Sequence, residues 1–341
     1  MSEERIISAE YSPEADREEA SLRPRLLAQF LGQAQVKENL RVFIQAARAR
    51  HESLDHVFFS GPPGLGKTTL AGIIANELGV QFRATSAPAL ERAGDLAAIL
   101  TSIGDKNVFF IDEIHRLKPV IEEMLYTAME DFEIDVVMGS GPGARTIKIP
   151  LPPFTLVGAT TKTGLVSGPL YSRFGITSRL DSYTEEDFRA IIRRSAGILR
   201  IHLDEEACTL VAHRARGTPR VANRLLRRMR DFAQVWGEGV INPQIVGRGM
   251  EALMIDALGL DKLDREILKT IIQAYEGGPV GSETLAISIG ESVDTLEDVY
   301  EPYLIQRGLL QRTPRGRMAT RLAYDHLQLA KPTREDQSLL F

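Results

Sequence analysis

A phosphate-binding pattern occupies residues 61–68, which read GPPGLGKT. Gly64 and Gly66 permit a tight turn that aims backbone N–H groups at a phosphate, and Lys67 is long enough to reach the β and γ oxygens. The hydroxyl of Thr68 is of the kind that binds Mg²⁺ in such loops. The residues expected to line a nucleoside triphosphate are Gly61, Pro62, Pro63, Gly64, Leu65, Gly66, Lys67, Thr68 and Thr69.

Two carboxylates, Asp112 and Glu113, follow an apolar run in the segment KNVFFIDEIHRL. Asp112 is expected to hold Mg²⁺ through water, and Glu113 to orient and polarise the water that attacks the γ-phosphate. An isolated Asp-Glu pair is ordinarily a solvated turn, but the phosphate loop earlier in the chain favours hydrolysis. His115 has no cysteine or second histidine at ligand spacing, so it is interpreted as a structural hydrogen-bonding residue.

Further polar residues could complete such a site. Thr160 and Thr161 end the segment FTLVGATTK, where either hydroxyl could bind the γ-phosphate or the water. Arg173, in GPLYSRFG, could stabilise charge that develops in a neighbouring copy's site. Arg220, in GTPR, stands at a predicted helix start, where it could contact the nucleotide. The arginines interpreted instead as a solvated helix face are Arg224, Arg227, Arg228 and Arg230.

Buried strands followed by loops and helices must position these residues. Val57–Phe59 and Val108–Ile111 are apolar runs typical of parallel strands, and Thr68–Leu78 repeats apolar residues every three to four positions, as a helix does. Ligands bind beyond the carboxyl ends of such strands. The sequence therefore predicts an α/β fold, with a P-loop domain built on a parallel sheet.

Composition limits the remaining possibilities. A chain of 341 residues predicts two or three domains, and 43% hydrophobic with 26% charged residues is typical of a globular protein. The one cysteine, Cys208, excludes a disulfide framework and a cysteine-based zinc site. Residues 1–20 are polar and acid-rich, which predicts a mobile arm and not a signal peptide. No apolar run approaches the roughly 18 residues of a membrane helix, so the expected compartment is the cytoplasm.

An insertion over residues 133–150 predicts a β-hairpin. Apolar residues alternate on the way out and on the return, and glycines between them favour a turn. The residues of the resulting apolar face are Ile134, Val136, Met138, Ile147 and Ile149. Such a face needs to be covered, either by its own domain or by a partner, and the residues alone leave both possibilities open.

The C-terminal part of the chain predicts a winged helix, with three short helices followed by a strand, a turn and a strand. From Glu276 to Glu301 there are seven acidic and no basic residues, whereas Tyr303 to Tyr324 holds five arginines and no acid. The last helix would therefore repel DNA phosphates. The wing is expected to bind DNA without regard to sequence, through Arg312 on its rising strand and Arg315 and Arg317 at the turn, unless the turn is merely solvated.

Taken in order, the segments SGPPGLGKTTLA, FFIDEIHRL, VGATTKTGLVSGPLYSRFG and RGTPRVANRLLRRMRDFA resemble the AAA+ ATPases. With LRPRLLAQFLGQAQVKENL before them and LLQRTPRGRMAT after them, the chain is similar to the branch-migration motors of bacterial Holliday junctions over residues 20–335. The resemblance implies a large AAA+ ATPase domain (1–183), a small helical lid (184–255) and a winged-helix head (256–341).

The resemblance also implies roles for individual residues. Glu113 would be the hydrolytic base, Thr160 the first sensor, Arg220 the second sensor, and Arg173 an arginine finger acting on the adjacent subunit. Lys67, Thr68 and Asp112 would serve the phosphates and Mg²⁺. The residues that match the family's other ATP contacts are Leu22 and Arg23 around the adenine, Tyr183 packed on it, and the segment Glu130, Asp131 and Phe132. Leu and Ala in RPRLLAQFLGQ depart from the more polar residues typical of the family.

The implied assembly is a homohexameric ring on double-stranded DNA that uses ATP and Mg²⁺ in recombination, DNA repair and the SOS response. It would act with the junction-binding protein RuvA, docked on the hairpin, and with RuvC. An ATP switch that loads or scaffolds replication proteins would share the ATPase motifs, but the wing arginines and the hairpin favour a motor. A protein-unfolding ring would carry an aromatic-glycine pore loop, which the sequence lacks.

Overall fold

The computed structural model describes residues 21–138 and 145–330, and it divides at Asp187 into a first unit and, from Phe188, a second unit. The predicted arm of residues 1–20 lies outside the described residues. Within the described ranges, no helix is long and apolar enough to cross a membrane.

The first unit is built on a five-stranded parallel sheet with the strand order β2-β3-β6-β1-β7. The strands β1 and β6 are buried along their whole length, as apolar runs covered on both faces must be. The strands of this unit, in chain order, are β1 (Val57–Ser60), β2 (Phe82–Ser86), β3 (Val108–Asp112), β4 (Glu133–Met138), β5 (Arg145–Pro150), β6 (Thr155–Thr160) and β7 (Ile176–Arg179).

Helices pack on this sheet and close its core. Fully buried side chains from strands and helices meet there, among them Phe109, Leu125 and Phe154. The helices are α1 (Ala34–Arg50), α2 (Lys67–Leu78), α3 (Ala93–Thr101), α4 (Pro119–Glu130) and α5 (Gly168–Tyr171). The helix α6 (Glu185–Leu199) runs across the division into the second unit.

The predicted hairpin is present as the antiparallel pair of β4 and β5. Ile134 stands opposite Ile149, and Val136 stands opposite Ile147, so these four residues share one face. The turn at residues 139–144 and the side chain of Met138 lie outside the described residues.

A helical lid begins the second unit. The side chain of Thr218 accepts a hydrogen bond from the Val221 N–H, and that of Asn242 accepts one from Ile245 at 2.9 Å, so two helices begin at polar caps. The elements of the lid are β8 (His202–Leu203), α7 (Glu205–His213), α8 (Pro219–Trp236), β9 (Val240–Ile241) and α9 (Pro243–Ala252).

The head that follows has the predicted winged-helix pattern. Its last helical stretch runs from α12 (Val293–Thr295) through a π-helical segment, Leu296–Tyr300, into α13 (Glu301–Gln306). The other elements are α10 (Lys262–Ala274), α11 (Ser282–Ile289), the wing strands β10 (Leu310–Thr313) and β11 (Gly316–Ala319), and α14 (Arg321–Leu327). The wing strands pair antiparallel.

A buried ion pair fastens the lid to the head within the second unit. Arg216, in the loop before α8, donates from both terminal nitrogens to Asp264 of α10, and the side chains are 3% and 0% exposed. The guanidinium also lies 4.5 Å from the centre of the Tyr303 ring. Burial raises the pKa of Asp264 to about 7 although the guanidinium opposes that shift. The loop that leads to Arg220 is thus bound directly to the head.

Candidate functional site

The phosphate loop lies between β1 and α2, at the carboxyl edge of the sheet. Gly61 has φ +135°, and a Cβ there would lie 2.7 Å from the carbonyl oxygen of Leu180. Gly66 has φ +100°, and a Cβ there would lie 3.0 Å from the Phe30 ring. Only glycine accepts both the backbone conformation and the space. The loop fits a phosphate, because backbone N–H groups and the N-terminus of a 12-residue helix converge on it.

Lys67 and Thr68 are the first two residues of α2. The Lys67 side chain is buried at 6% exposure, and its ammonium donates to the carbonyl oxygens of Gly61 at 2.7 Å and Pro62 at 3.0 Å. These bonds place a cation across the mouth of the loop. The arrangement suits the binding of a phosphate, which can replace carbonyl oxygens as the acceptor of the ammonium hydrogens.

Asp112 and Glu113 emerge at the same edge of the sheet as the loop. Ser60, the last residue of β1, stands beside Thr160 in β6, and Ile111 stands beside Gly158 in the same strand. Glu113 has φ +48°, a left-handed conformation that is uncommon outside glycine and that occurs at functional sites. The carboxylates therefore lie at the end of β3, on the edge of the sheet where the phosphate loop follows β1.

The Glu113 carboxylate is held by Thr161. Its Oε2 accepts hydrogen bonds from the Thr161 hydroxyl at 3.0 Å and from the Thr161 N–H at 3.2 Å. His115 Nδ1 lies 3.1 Å from the same oxygen and 2.8 Å from the Thr160 hydroxyl. The interpretation of His115 as a hydrogen-bonding residue is confirmed, and sequence reasoning missed that it contacts Glu113.

The side chain of Thr160 is buried. Thr160 is 0% exposed, and its hydroxyl contacts His115 and accepts from the Lys162 N–H at 3.0 Å. The hydroxyl that contacts the Glu113 carboxylate is that of Thr161, which follows the last residue of β6. The predicted contact of Thr160 with a nucleotide stays a prediction.

The segment predicted to surround the adenine packs on the phosphate loop. Leu22 is buried at 2% exposure, whereas Arg23 is exposed. Tyr183 donates from its hydroxyl to the Leu65 carbonyl oxygen at 2.9 Å, and burial raises the pKa of that hydroxyl. The Phe30 ring, which sequence reasoning did not single out, lies against Gly66. Tyr183 and Phe30 therefore belong to the surroundings of the loop, and the predicted contact of Leu22 and Arg23 with an adenine stays a prediction.

Arg173 lies at the opposite, amino edge of the sheet. It precedes β7, whose first residue, Ile176, pairs with Val57 at the start of β1. Its guanidinium donates to Pro169 O at 2.7 Å and to Glu130 Oε2 at 3.0 Å. The length of β1 thus separates Arg173 from the phosphate loop of its own chain, as the prediction of action on an adjacent subunit requires.

The segment Glu130, Asp131 and Phe132 lies at the amino edge of the sheet. The Phe132 ring packs on Phe154, with ring centres 5.9 Å apart, and on His56 at 6.3 Å, beside the amino ends of β6 and β1. The segment therefore shares the edge of Arg173, and its predicted contact with ATP stays a prediction.

Arg220 lies in the second unit, at the N-terminal turn of α8 after the capping residue Thr218. Its predicted contact with a nucleotide stays a prediction. Arg227, expected on a solvated face, is only 7% exposed, so that interpretation is wrong for this residue. The arginines of α8 therefore differ in their exposure to solvent.

The apolar face of the hairpin is divided between core and solvent. Ile134 is 0% exposed, and Val136 and Ile149 pack against the core of the first unit. Ile147 is 48% exposed. The expectation that Ile134 docks a partner is wrong because its own domain covers it, whereas Ile147 remains accessible on the outer half of the face.

The wing presents two of its three predicted arginines. Arg315 is exposed in the turn, and the Arg312 side chain is 54% exposed on β10. Arg317 was expected at the tip, but it lies in β11 opposite Arg312 with 7% of its side chain exposed. It donates to Glu301 at 2.6 Å and to Glu297 at 2.5 Å. Packing of β11 on the π-helical segment buries Arg317, so its place at the tip is corrected.

Comparisons with known proteins agree along the whole described chain. Family models match residues 22–180 as the "Holliday junction DNA helicase RuvB P-loop domain", residues 183–256 as the "RuvB AAA lid domain" and residues 257–328 as the "RuvB C-terminal winged helix domain". Together they cover more than half of the chain.

Individual relatives match over nearly their full length. The Holliday junction branch migration complex subunit RuvB of Treponema denticola is 64% identical over 317 residues, which cover 93% of this chain and 92% of the relative. The RuvB subunit of Pediococcus pentosaceus is 56% identical over 96% of this chain and 98% of its own. A solved Thermotoga maritima RuvB branch migration motor is 51% identical, with a TM-score of 0.84, over 92% of this chain and 100% of the solved one.

Proposed function

The chain belongs to the RuvB family, and from that premise we propose that it is an ATP-hydrolysing motor that moves Holliday junction branch points in recombination and DNA repair. The observation that carries the proposal is the presence, in one chain, of a phosphate loop with the Glu113–Thr161 pair at the same edge of the sheet and of an arginine-bearing wing. An ATP switch that loads other proteins would need the first and not the second.

Residues at the carboxyl edge of the sheet have distinct proposed roles in hydrolysis. Lys67, the loop N–H groups and the start of α2 bind and orient the phosphates. Thr68 and Asp112 would hold Mg²⁺, which neutralises phosphate charge when bound. Because Oε2 of Glu113 is engaged by Thr161, Oε1 is the oxygen that takes a proton from the attacking water. Thr161, and not Thr160, serves as the sensor of the γ-phosphate.

Arg173 supplies positive charge to the site of an adjacent copy. A guanidinium aimed at the transferred phosphoryl group stabilises the charge that develops in the transition state. The position of Arg173 at the amino edge supports this role, since the phosphate loop of its own chain lies at the carboxyl edge. Arg220 of the lid acts as the second sensor. The assembly that satisfies these contacts is a homohexameric ring.

Two surfaces serve the DNA and the partner proteins. The wing contacts the backbone of double-stranded DNA through Arg312 and Arg315, and Arg317 holds the wing in place through Glu297 and Glu301. The outer half of the hairpin face, at Ile147, docks RuvA, which loads the motor on the junction. RuvC acts with the same complex. Contacts to phosphate without base readout suit a protein that must move along any sequence.

The direct test is dissociation of a synthetic four-way junction by the purified chain, with ATP and Mg²⁺, in the presence and absence of RuvA. We expect ATP-dependent dissociation that RuvA stimulates and that Lys67→Ala abolishes. ATP hydrolysis without any movement of the junction, at every RuvA concentration, would favour the switch over the motor.

A further inference from the structure

We infer that Glu130 is a positioning residue for Arg173, and that it fixes the guanidinium for the adjacent copy's phosphate. The inference rests on the proposed role of Arg173 at a neighbouring site. It assigns a physical task to a segment that the family resemblance associates only with ATP binding.

Three contacts on different sides fix the Arg173 guanidinium. Nη1 donates to Pro169 O at 2.7 Å, Nη2 donates to Glu130 Oε2 at 3.0 Å, and Cζ lies 4.4 Å from the centre of the Tyr126 ring. The side chain is 20% exposed. A guanidinium has five N–H donors in a planar fork, so these contacts orient the plane while other terminal hydrogens remain for a phosphate.

Hydrogen bonds also fix the residues that contact the guanidinium. Tyr126 and Glu130 stand four residues apart on α4, which places them on one face of the helix. The Tyr126 hydroxyl donates to Glu122, and Ser167, which also bonds Glu122, caps α5 by accepting from the Leu170 N–H at 3.2 Å. Both sides of the Arg173 site are therefore anchored to helices.

His56 anchors the end of α4. Its Nε2 lies 3.1 Å from Met129 O, next to Glu130, and its Nδ1 accepts from the Leu156 N–H at 2.9 Å. These bonds require the neutral ring with the hydrogen on Nε2, and burial lowers the pKa of His56 in agreement with that form. The backbone that carries Glu130 is thus tied to the sheet.

The Glu130 carboxylate acts on the transition state through Arg173. Bound to the guanidinium, it orients the positive group that stabilises the charge developing on the transferred phosphoryl group. Because the Glu130 side chain is 56% exposed, its loss removes no core contact and leaves the fold intact.

The test compares Glu130→Ala and Glu130→Gln with Glu123→Ala, which removes an exposed glutamate from the same helix. Steady-state ATPase assays give kcat and KM, and a fluorescent ATP analogue gives the nucleotide Kd. We expect Glu130→Ala to lower kcat about tenfold with unchanged Kd, within the roughly 100-fold that a misplacement of 1 Å can cost. Glu130→Gln should keep most activity, because its amide oxygen also accepts from Nη2, and Glu123→Ala should match the wild type.

Mixing experiments place the effect on the correct subunit. Lys67→Ala copies lack a working site but supply an intact Arg173 and Glu130, so mixing them with Glu130→Ala copies should raise turnover above that of either alone. A normal kcat for Glu130→Ala, or a changed Kd with normal kcat, would overturn the inference. Arg173→Ala separates a failure of the proposed role of Arg173 from a failure of the positioning role of Glu130. Full ATPase activity in Arg173→Ala would contradict the role of Arg173 itself. An inactive Arg173→Ala together with a normal Glu130→Ala would contradict only the positioning role of Glu130.

Discussion

The hydroxyl of Thr161 donates to the carboxylate of Glu113 at 3.0 Å, and the Thr161 N–H donates to the same oxygen at 3.2 Å. Two donors on Oε2 restrict the rotation of the carboxylate. The neighbouring Thr160 makes its contacts with His115 and Lys162 instead. The proposed base and the residue that orients it thus directly follow β3 and β6, two neighbouring strands of the sheet.

Glu113→Gln should bind ATP normally and lower turnover by about 100-fold or more, because an amide cannot accept the proton of the attacking water. ATPase rates measured beside the Kd of a fluorescent ATP analogue separate the two effects. Near-normal turnover in Glu113→Gln would contradict the assignment of Glu113 as the base.

Substitution of Thr161 should affect catalysis, whereas substitution of Thr160 should affect stability. Thr161→Val removes the hydroxyl donor to Glu113 and should reduce kcat, with little change in the unfolding temperature. Thr160→Val removes a buried hydroxyl that contacts His115, and should lower stability by about 1–3 kcal/mol. ATPase assays and thermal unfolding of both variants provide the comparison. A larger loss of kcat in Thr160→Val at equal folded fraction would return the sensor role to Thr160.

The outer half of the hairpin offers a matched pair of variants. Ile147→Asp places a charge on the apolar face and should abolish RuvA binding while the basal ATPase is unchanged. Thr146→Asp, one residue earlier and on the opposite face of the strand, is the control and should bind RuvA normally. Binding measured by titration with labelled RuvA decides the matter, and retained binding by Ile147→Asp would count against this docking site.

The wing arginines should divide into two classes. Arg312→Ala and Arg315→Ala should each lower duplex affinity equally for unrelated sequences and reduce the slope of log affinity against log salt by about one unit. Arg317→Ala removes the nearer of the two arginines beside Glu301, whose side chain is 2% exposed, and leaves it with Arg312 at 3.9 Å, so it should lower stability by roughly 3 kcal/mol. Duplex binding over a salt series and thermal unfolding measure these effects. An unchanged slope for both exposed arginines would refute phosphate contact by the wing.

For the buried ion pair of Arg216 and Asp264, a second substitution should restore part of the stability that the first one removes. Arg216→Met removes the partner that favours the ionised Asp264 carboxyl, so this buried group must take up a proton or stay charged without a partner, and the chain should be destabilised by about 3–5 kcal/mol. Adding Asp264→Asn removes the ionisable group while an amide oxygen can still accept from the Asp261 N–H, so part of the loss should be recovered. Denaturant unfolding of the single and double variants tests this, and additive losses would argue against coupling between the two residues.

Local patterns predicted the phosphate loop and Asp112 because strand, loop and helix are consecutive in the chain. The choice between Thr160 and Thr161 was not predictable, since it depends on how β6 is registered against its neighbours. The burial of Arg317 depends on the packing of β11 against Glu297 and Glu301. The spacing of these two glutamates, four residues apart on a helical stretch, was the available signal that an arginine of the wing would find a partner.

Lys67 lies beyond the carboxyl end of β1, and Arg173 lies beside its amino end. The proposed action of Arg173 on a neighbour's phosphate loop joins these unlike surfaces, and copies that repeat such a contact head to tail close into a cycle or extend as a filament. The ATPase rate per subunit should then depend on protein concentration. Dilution that separates the copies should stop hydrolysis at every site, while each subunit remains folded and able to bind nucleotide.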